Sequence, residues 1–217
     1  MRIKLIIFDL DGTLVDSLDD LTDAANAMLK SFGRRELHSQ EVRLLVGQGA
    51  RRLVERAMPD APLENIDEGV RIFVAYNDAH IAVKTRLYPG VRETLAILGK
   101  NWRLAVISNK NTSLCRKLLE VLEVADYFSE IMGADSLPFR KPSPEPVRKL
   151  LSDCGVSASE TVIVGDSCND MIAGKGAGVV TVGCTYGYGE ASELVGADYL
   201  IDQFVNLLGL PLFTQNG

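Results

Sequence analysis

A chain of 217 residues, 47% of them apolar, is long enough for one domain, or for a core domain with a smaller insertion, built around a substantial hydrophobic core. Its net charge of −6, from 23 basic against 29 acidic residues, argues against a general role on nucleic acids or anionic membranes, and no apolar stretch approaches membrane-spanning length. Cys115, Cys154, Cys168 and Cys184 are scattered without a CxxC pair, so with only His38 and His80 to help they make no zinc pattern and read as free thiols of a reducing compartment. The basic start is followed by an apolar run too short for a signal sequence, and the cytoplasm is the expected location.

In chain order, "IKLIIFDLDG" opens as an apolar strand that stops at two acids. From Ser17 to about Arg86 only helical patterns follow. Ser17 is placed to cap "LDDLTDAANAMLKSF", which ends at Gly33, a suitable left-handed residue. Ser39 is placed to cap "QEVRLLV", "ARRLVERAM" follows Gly49, and a long pattern runs from Leu63 to about Ala82. "LYPGV" then restores a strand–helix rhythm. Strands are predicted in "WRLAVISNK", "TVIVGDS" and "GVVTVGCTYG", with weaker ones in "YFSEIMGAD" and "ADYLI"; helices are predicted in "VRETLAILGK", "TSLCRKLLEVL", "PEPVRKLLSDCG" and "NDMIAGKGAG". Continuous apolar strands alternating with helices predict an α/β fold, a doubly wound parallel sheet covered on both faces. The expected organisation is an α/β core over 1–16 and 87–217 with a helical insertion over 17–86. The tail "GLPLFTQNG" is expected to fray.

Asp9 and Asp11 raise an electrostatic question. At about 4 Å and an effective dielectric near 20, two like charges repel by about 4 kcal/mol. Ligands of open α/β sheets bind beyond the carboxyl ends of the strands, and reading those ends gives Asp9 and Asp11, then Ser108 and Asn109, then Asp166 with Asp170. Lys141, in a proline-marked loop, is within reach of the same crevice. Carboxylates gathered there need a hard divalent cation with oxygen ligands, and Mg²⁺ also accepts a phosphate oxygen. One aspartate can then act as nucleophile and its neighbour two positions on as general acid and base. Gly12 permits a tight turn, while the Thr13 and Ser108 hydroxyls and the Asn109 amide can hold phosphoryl oxygens.

"FDLDGT", "VISNK", "RKPSPEP" and "VGDSCND", in that order, resemble the four signatures of the haloacid dehalogenase-like (HAD) superfamily of phosphohydrolases, which has a Rossmann-like core. The resemblance implies Asp9 as nucleophile, Asp11 as general acid and base, and Ser108 and Lys141 as phosphoryl stabilisers with Asn109 beside them. It further implies Mg²⁺ held by the Asp9 side chain, the Asp11 main-chain carbonyl and the Asp166 side chain, with Asp170 behind them. The inserted helices are similar to the cap of members with small substrates. "LVGQGARRLVERA", "LYPGV", "ISNK" and "VGCTYGYGE" resemble the phosphoglycolate phosphatase subfamily, which implies 2-phosphoglycolate as substrate; monomer and homodimer stay equally open. Two spellings depart from that subfamily: Ser108 stands for threonine, and Arg140 precedes Lys141 as a competing cation.

Sugar-phosphate phosphatase, phosphomutase and pyrophosphatase chemistry stay open on the same scaffold, as does a non-catalytic phospho-accepting module. A dehalogenase has no need of Asp11. In the insertion, Gly47 and Gly49 suit either a loop over the substrate or helix ends. Arg51 and Arg52 suit a substrate carboxylate or, more simply, solvent. "YGYGE" suits a substrate-side loop or a plain turn.

Overall fold

The computed structural model describes residues 3–213. β1 (Leu5–Phe8) leads into β2 (Val15–Asp16), then four helices, α1 (Leu18–Ser31), α2 (Ser39–Arg43), α3 (Ala50–Ala57) and α4 (Leu63–Ala79), before β3 (Arg86–Leu87). The chain continues through α5 (Val91–Leu98), β4 (Arg103–Ile107), α6 (Thr112–Val121), β5 (Glu130–Met132), α7 (Glu145–Cys154), β6 (Thr161–Gly165), α8 (Cys168–Ala177), β7 (Val180–Cys184) and β8 (Tyr199–Ile201). Among the described residues, no helix is long and apolar enough to cross a membrane.

Six strands form one sheet in the order β5-β4-β1-β6-β7-β8, with every pairing parallel. The chain winds outward from β1 to β5, then returns to the other side of β1 and winds outward to β8. This reversal places helices on both faces. Ile6 and Phe8 point into a core shared with α5 and α6, while Leu5 and Ile7 point into a second core with α7 and α8. Every residue of β1 is therefore buried, which explains its unbroken apolar run. Phe8 pairs with Val106 on one side and Val164 on the other. The three central strands thus end level, and the residues just beyond them emerge together at the reversal point.

The helices α1–α4 close around a core of their own, containing Met28, Leu53, Val54, Met58, Ile66 and Phe73. Its two connections to the sheet, β2 and β3, pair antiparallel as a short ribbon absent from the sequence reading. Local chemistry departs from expectation at several ends. Gly33 is left-handed (φ 63°) and ends α1 as expected, but Ser17 makes no capping bond because its hydroxyl turns to Asp11. The cap of α2 is His38, in a reciprocal capping box with Glu41, so Ser39 is already helical and the helix stops at Arg43. α4 ends at Ala79, where His80 stacks on Tyr76. The tail is packed as far as Phe213, which is buried edge-to-face on Trp102 with ring centres 5.4 Å apart; its remainder, 214–217, lies outside the described residues. All four cysteines are free.

Candidate active site

Asp9 follows β1, and its backbone N–H donates to Val164 O at 2.9 Å, which fixes it against β6. Its Oδ1 accepts from the Leu10 N–H at 2.7 Å and lies 2.9 Å from Lys141 Nζ. The same ammonium donates to Asp170 Oδ1 at 2.6 Å and is 1% exposed. Arg140 is exposed, so the competition left open by "FRK" is decided for Lys141. Asp170 is fully buried in the first turn of α8, and its other oxygen accepts from the Ser167 hydroxyl at 2.9 Å in a capping box.

Asp166 sits just beyond β6 and is also buried. Its Oδ1 accepts from the Thr13 hydroxyl at 3.1 Å and its Oδ2 from the Tyr188 N–H at 2.7 Å. Thr13, expected to hold a phosphoryl oxygen, is completely buried and has its hydroxyl committed to Asp166. Gly12 adopts φ +88°, and a Cβ there would stand 2.3 Å from Asp166 Oδ2. A side chain at Gly187 would meet Asp166 Cβ at 2.3 Å and Gly12 O at 2.4 Å. Asp166 is therefore clasped between two glycines, one predicted and one not.

Carboxylate oxygens of Asp9, Asp166 and Asp170 lie within 4.8 Å of one another. Burial, together with Asp170 and Asp166 and against the pull of Lys141, pushes Asp9 up to about 8. Burial and Asp170 push Asp166 up to about 6. Burial works against the Lys141 ammonium, but Asp170 and Asp9 outweigh it and hold its pKa above the ordinary range. Three carboxylates against one ammonium leave two negative charges unbalanced, the charge of one divalent cation. All the donors are oxygens, so the cluster fits a hard ion.

Asp11 lies outside this cluster and faces the adjoining cleft. Its carboxylate accepts from the Ser17 hydroxyl at 2.6 Å and from Lys110 Nζ at 3.2 Å. Ser108 and Asn109, just past β4, are both buried; the Ser108 hydroxyl accepts from Lys110 N at 3.2 Å. The Asn109 amide donates to Gly47 O at 2.9 Å and Lys141 O at 2.8 Å, which leaves its Oδ1 buried without a partner. Asp9, Asp11, Ser108, Asn109 and Lys110 line one side of a cleft whose other side comes from the helices: Leu21, Val46, Gly47, Leu53, Phe73 and Asn77. A second, more polar cleft opens from the same two aspartates toward Asp166, Arg43, Tyr188 and Glu193.

Sequence reasoning missed several of these groups. Lys110 ends the "ISNK" stretch, where nothing local distinguishes it from a solvated lysine. The alternating glycines of the 187–189 loop signal close backbone approach, which a substrate-side loop or a plain turn does not by itself specify. Tyr188 OH accepts from Ser17 N at 2.6 Å and donates to Asp16 Oδ1 at 3.1 Å. Arg43 of α2 donates to Tyr188 O and Gly187 O, each at 2.9 Å. Arg51 and Arg52 stay on the surface, paired with Asp67 and Glu55.

A parallel sheet with buried acids gathered beyond its central strands, under a helical insertion, defines the class of α/β hydrolases that work at strand ends. The chain belongs to the haloacid dehalogenase-like hydrolase family, whose sequence profile matches residues 6–184. It is 43% identical over 199 residues to a phosphoglycolate phosphatase of Neisseria meningitidis, covering 89% of this chain and 85% of that relative. Over 215 residues it is 40% identical to a phosphoglycolate phosphatase of Chromobacterium violaceum, covering 96% of each. The crystal structure of a predicted phosphoglycolate phosphatase from Haemophilus somnus superposes with a TM-score of 0.90 at 34% identity, covering 96% of this chain and 98% of that one.

Proposed function

We propose that this enzyme is a Mg²⁺-dependent phosphomonoester hydrolase that acts through an aspartyl-phosphate on a small soluble metabolite, with 2-phosphoglycolate as the leading substrate. The observation that carries the reading is the meeting of Asp9, Asp166 and Asp170 within 4.8 Å, with Lys141 beside them and Asp11 facing the same cleft. The Asp9 carboxylate attacks phosphorus, the bond to the leaving oxygen breaks, and Asp11 protonates that oxygen. Asp11 then takes a proton from water as the water attacks phosphorus, and phosphate leaves with the Asp9 carboxylate restored. Lys110 and Ser17 hold Asp11 in place for both transfers. Ser108, Lys141 and the backbone at Gly12 steady the phosphoryl oxygens, with Asn109 beside them.

Mg²⁺ would be held by the Asp9 and Asp166 side chains and the Asp11 main-chain carbonyl, with Asp170 behind them. When bound it offsets the repulsion between a phosphate dianion and these acids. The helices over 17–86 act as a cap that closes on a small substrate, with β2 and β3 as the hinge. The names of the similar proteins support the substrate.

Asp9→Asn should reduce phosphate release to background while the melting temperature holds, and retained turnover would refute the nucleophile. A screen of phosphorylated metabolites with Mg²⁺, read as free phosphate, should rank 2-phosphoglycolate above hexose and nucleoside phosphates. The opposite ranking would remove the substrate and leave the reaction class standing.

A further inference from the structure

The inward face of α4 carries Ile66, Gly69, Phe73 and then Asn77, at spacings of three and four residues. The first three join the packing of the helical insertion, so the pattern calls for another small or apolar residue at the fourth position. Asn77 is there instead, only 2% exposed. Its amide has no hydrogen-bond partner among the described residues. A buried amide without partners is costly and uncommon in folded proteins. Asn77 is not stranded in packing, however, because it lines the cleft that Asp9 and Asp11 line from the other side.

The rest of the helical wall is apolar: Leu21, Val46, Leu53, Phe73 and Val74. Lys110, the one cation lining this cleft among the described residues, is already bonded to Asp11. Within this cleft, Asn77 is therefore the unengaged polar side chain that the insertion presents to whatever lies beyond the phosphoryl group. We infer that Asn77 determines specificity by hydrogen-bonding, through its buried and unpartnered amide, an oxygen on the organic end of the substrate. That oxygen belongs to a carboxylate or a hydroxyl on a short chain. The inference rests on the phosphomonoesterase reading, since that reading sets the phosphoryl group at Asp9 and leaves the organic group facing α4.

The test compares three esters of similar size: 2-phosphoglycolate, which ends in a carboxylate; 2-hydroxyethyl phosphate, which ends in a hydroxyl; and ethyl phosphate, which has neither. kcat/KM is measured for each with wild type and Asn77→Leu, and the ratio to ethyl phosphate is the readout. The leucine variant should lower the ratio for the recognised ester by about 10- to 100-fold, as expected for one hydrogen bond to a polar or charged group. The ester whose ratio collapses identifies the oxygen. Asn77→Asp separates the two sources again, because a carboxylate facing a carboxylate loses the ratio and a hydroxyl keeps it. The substrate-free leucine variant should melt at least as high as wild type, since the amide bonds no described residue and faces the open cleft; a merely structural asparagine would move the melting temperature down instead. Asn77→Ser, too short to span the gap, serves if the leucine variant fails to fold. Ratios within about twofold of wild type for both esters overturn the inference while the phosphatase reading stands. No phosphate released by wild type from any ester overturns both.

Discussion

Asp9 and Asp166 are two acids whose folded environment favours the protonated form. Their pKa values rise to about 8 and about 6, chiefly through burial, against an ordinary value of 3.8. A carboxyl raised in this way stabilises the fold fully below its unfolded value, and that contribution is lost as pH climbs through the folded value. In the metal-free protein these two groups therefore weaken the fold progressively between about pH 4 and 8. A cation that needs them ionised binds more tightly over the same span. The rise in melting temperature on adding Mg²⁺ after chelation should be small at pH 5, largest near pH 8, and mostly absent in Asp9→Asn. A rise that is flat across pH would contradict this. Gly187→Ala places a methyl on Asp166 and Gly12, so Mg²⁺ affinity by calorimetry should fall at least tenfold, with about 1–3 kcal/mol or more lost from stability.

Between elements, one short loop after β7 joins an acid of the cluster to the helical insertion. Backbone N–H groups of residues 188 and 189 hold Asp166, the Tyr188 hydroxyl bonds Asp16 of β2 and Ser17 at the start of α1, and the carbonyls of Gly187 and Tyr188 receive Arg43 of α2. The helical insertion is thus latched onto the loop that orients an acid of the cluster. Arg43→Ala removes two hydrogen bonds from a charged donor, about 1–3 kcal/mol in favour of an open arrangement. The expected result is faster amide exchange in α2 and in residues 187–189 together, with a higher KM for substrate. Faster exchange in α2 alone would show that the loop does not depend on the latch.

At the scale of the whole molecule, the sheet and the insertion have separate cores joined by the β2–β3 ribbon. The sheet core is organised on β1, where Phe8 meets Phe128 and Phe204 with ring centres 6.3 and 5.6 Å apart. Phe8→Ala should cost about 3–5 kcal/mol in urea unfolding, because a rigid strand flanked on both sides cannot collapse into the cavity. Phe73→Ala, in the insertion, should destabilise less, since that ring also borders the open cleft.

Local sequence is enough for the six strands of the sheet, most of the helices, and the placing of Asp9 and Asp166 just past strand ends with Asp170 a few residues on. Those features are local: an apolar run, a break and a charge lie within a few residues of one another. Which group neutralises which follows from folding. It buried Lys141 and left Arg140 in solvent, turned Thr13 toward Asp166 and Ser17 toward Asp11, and brought Lys110 and Tyr188 into the site. These partners lie 99 residues apart for Lys110 and Asp11 and 153 for Thr13 and Asp166. No periodicity extends over such separations, and the energy that selects one partner over another exists only after burial has removed water from both.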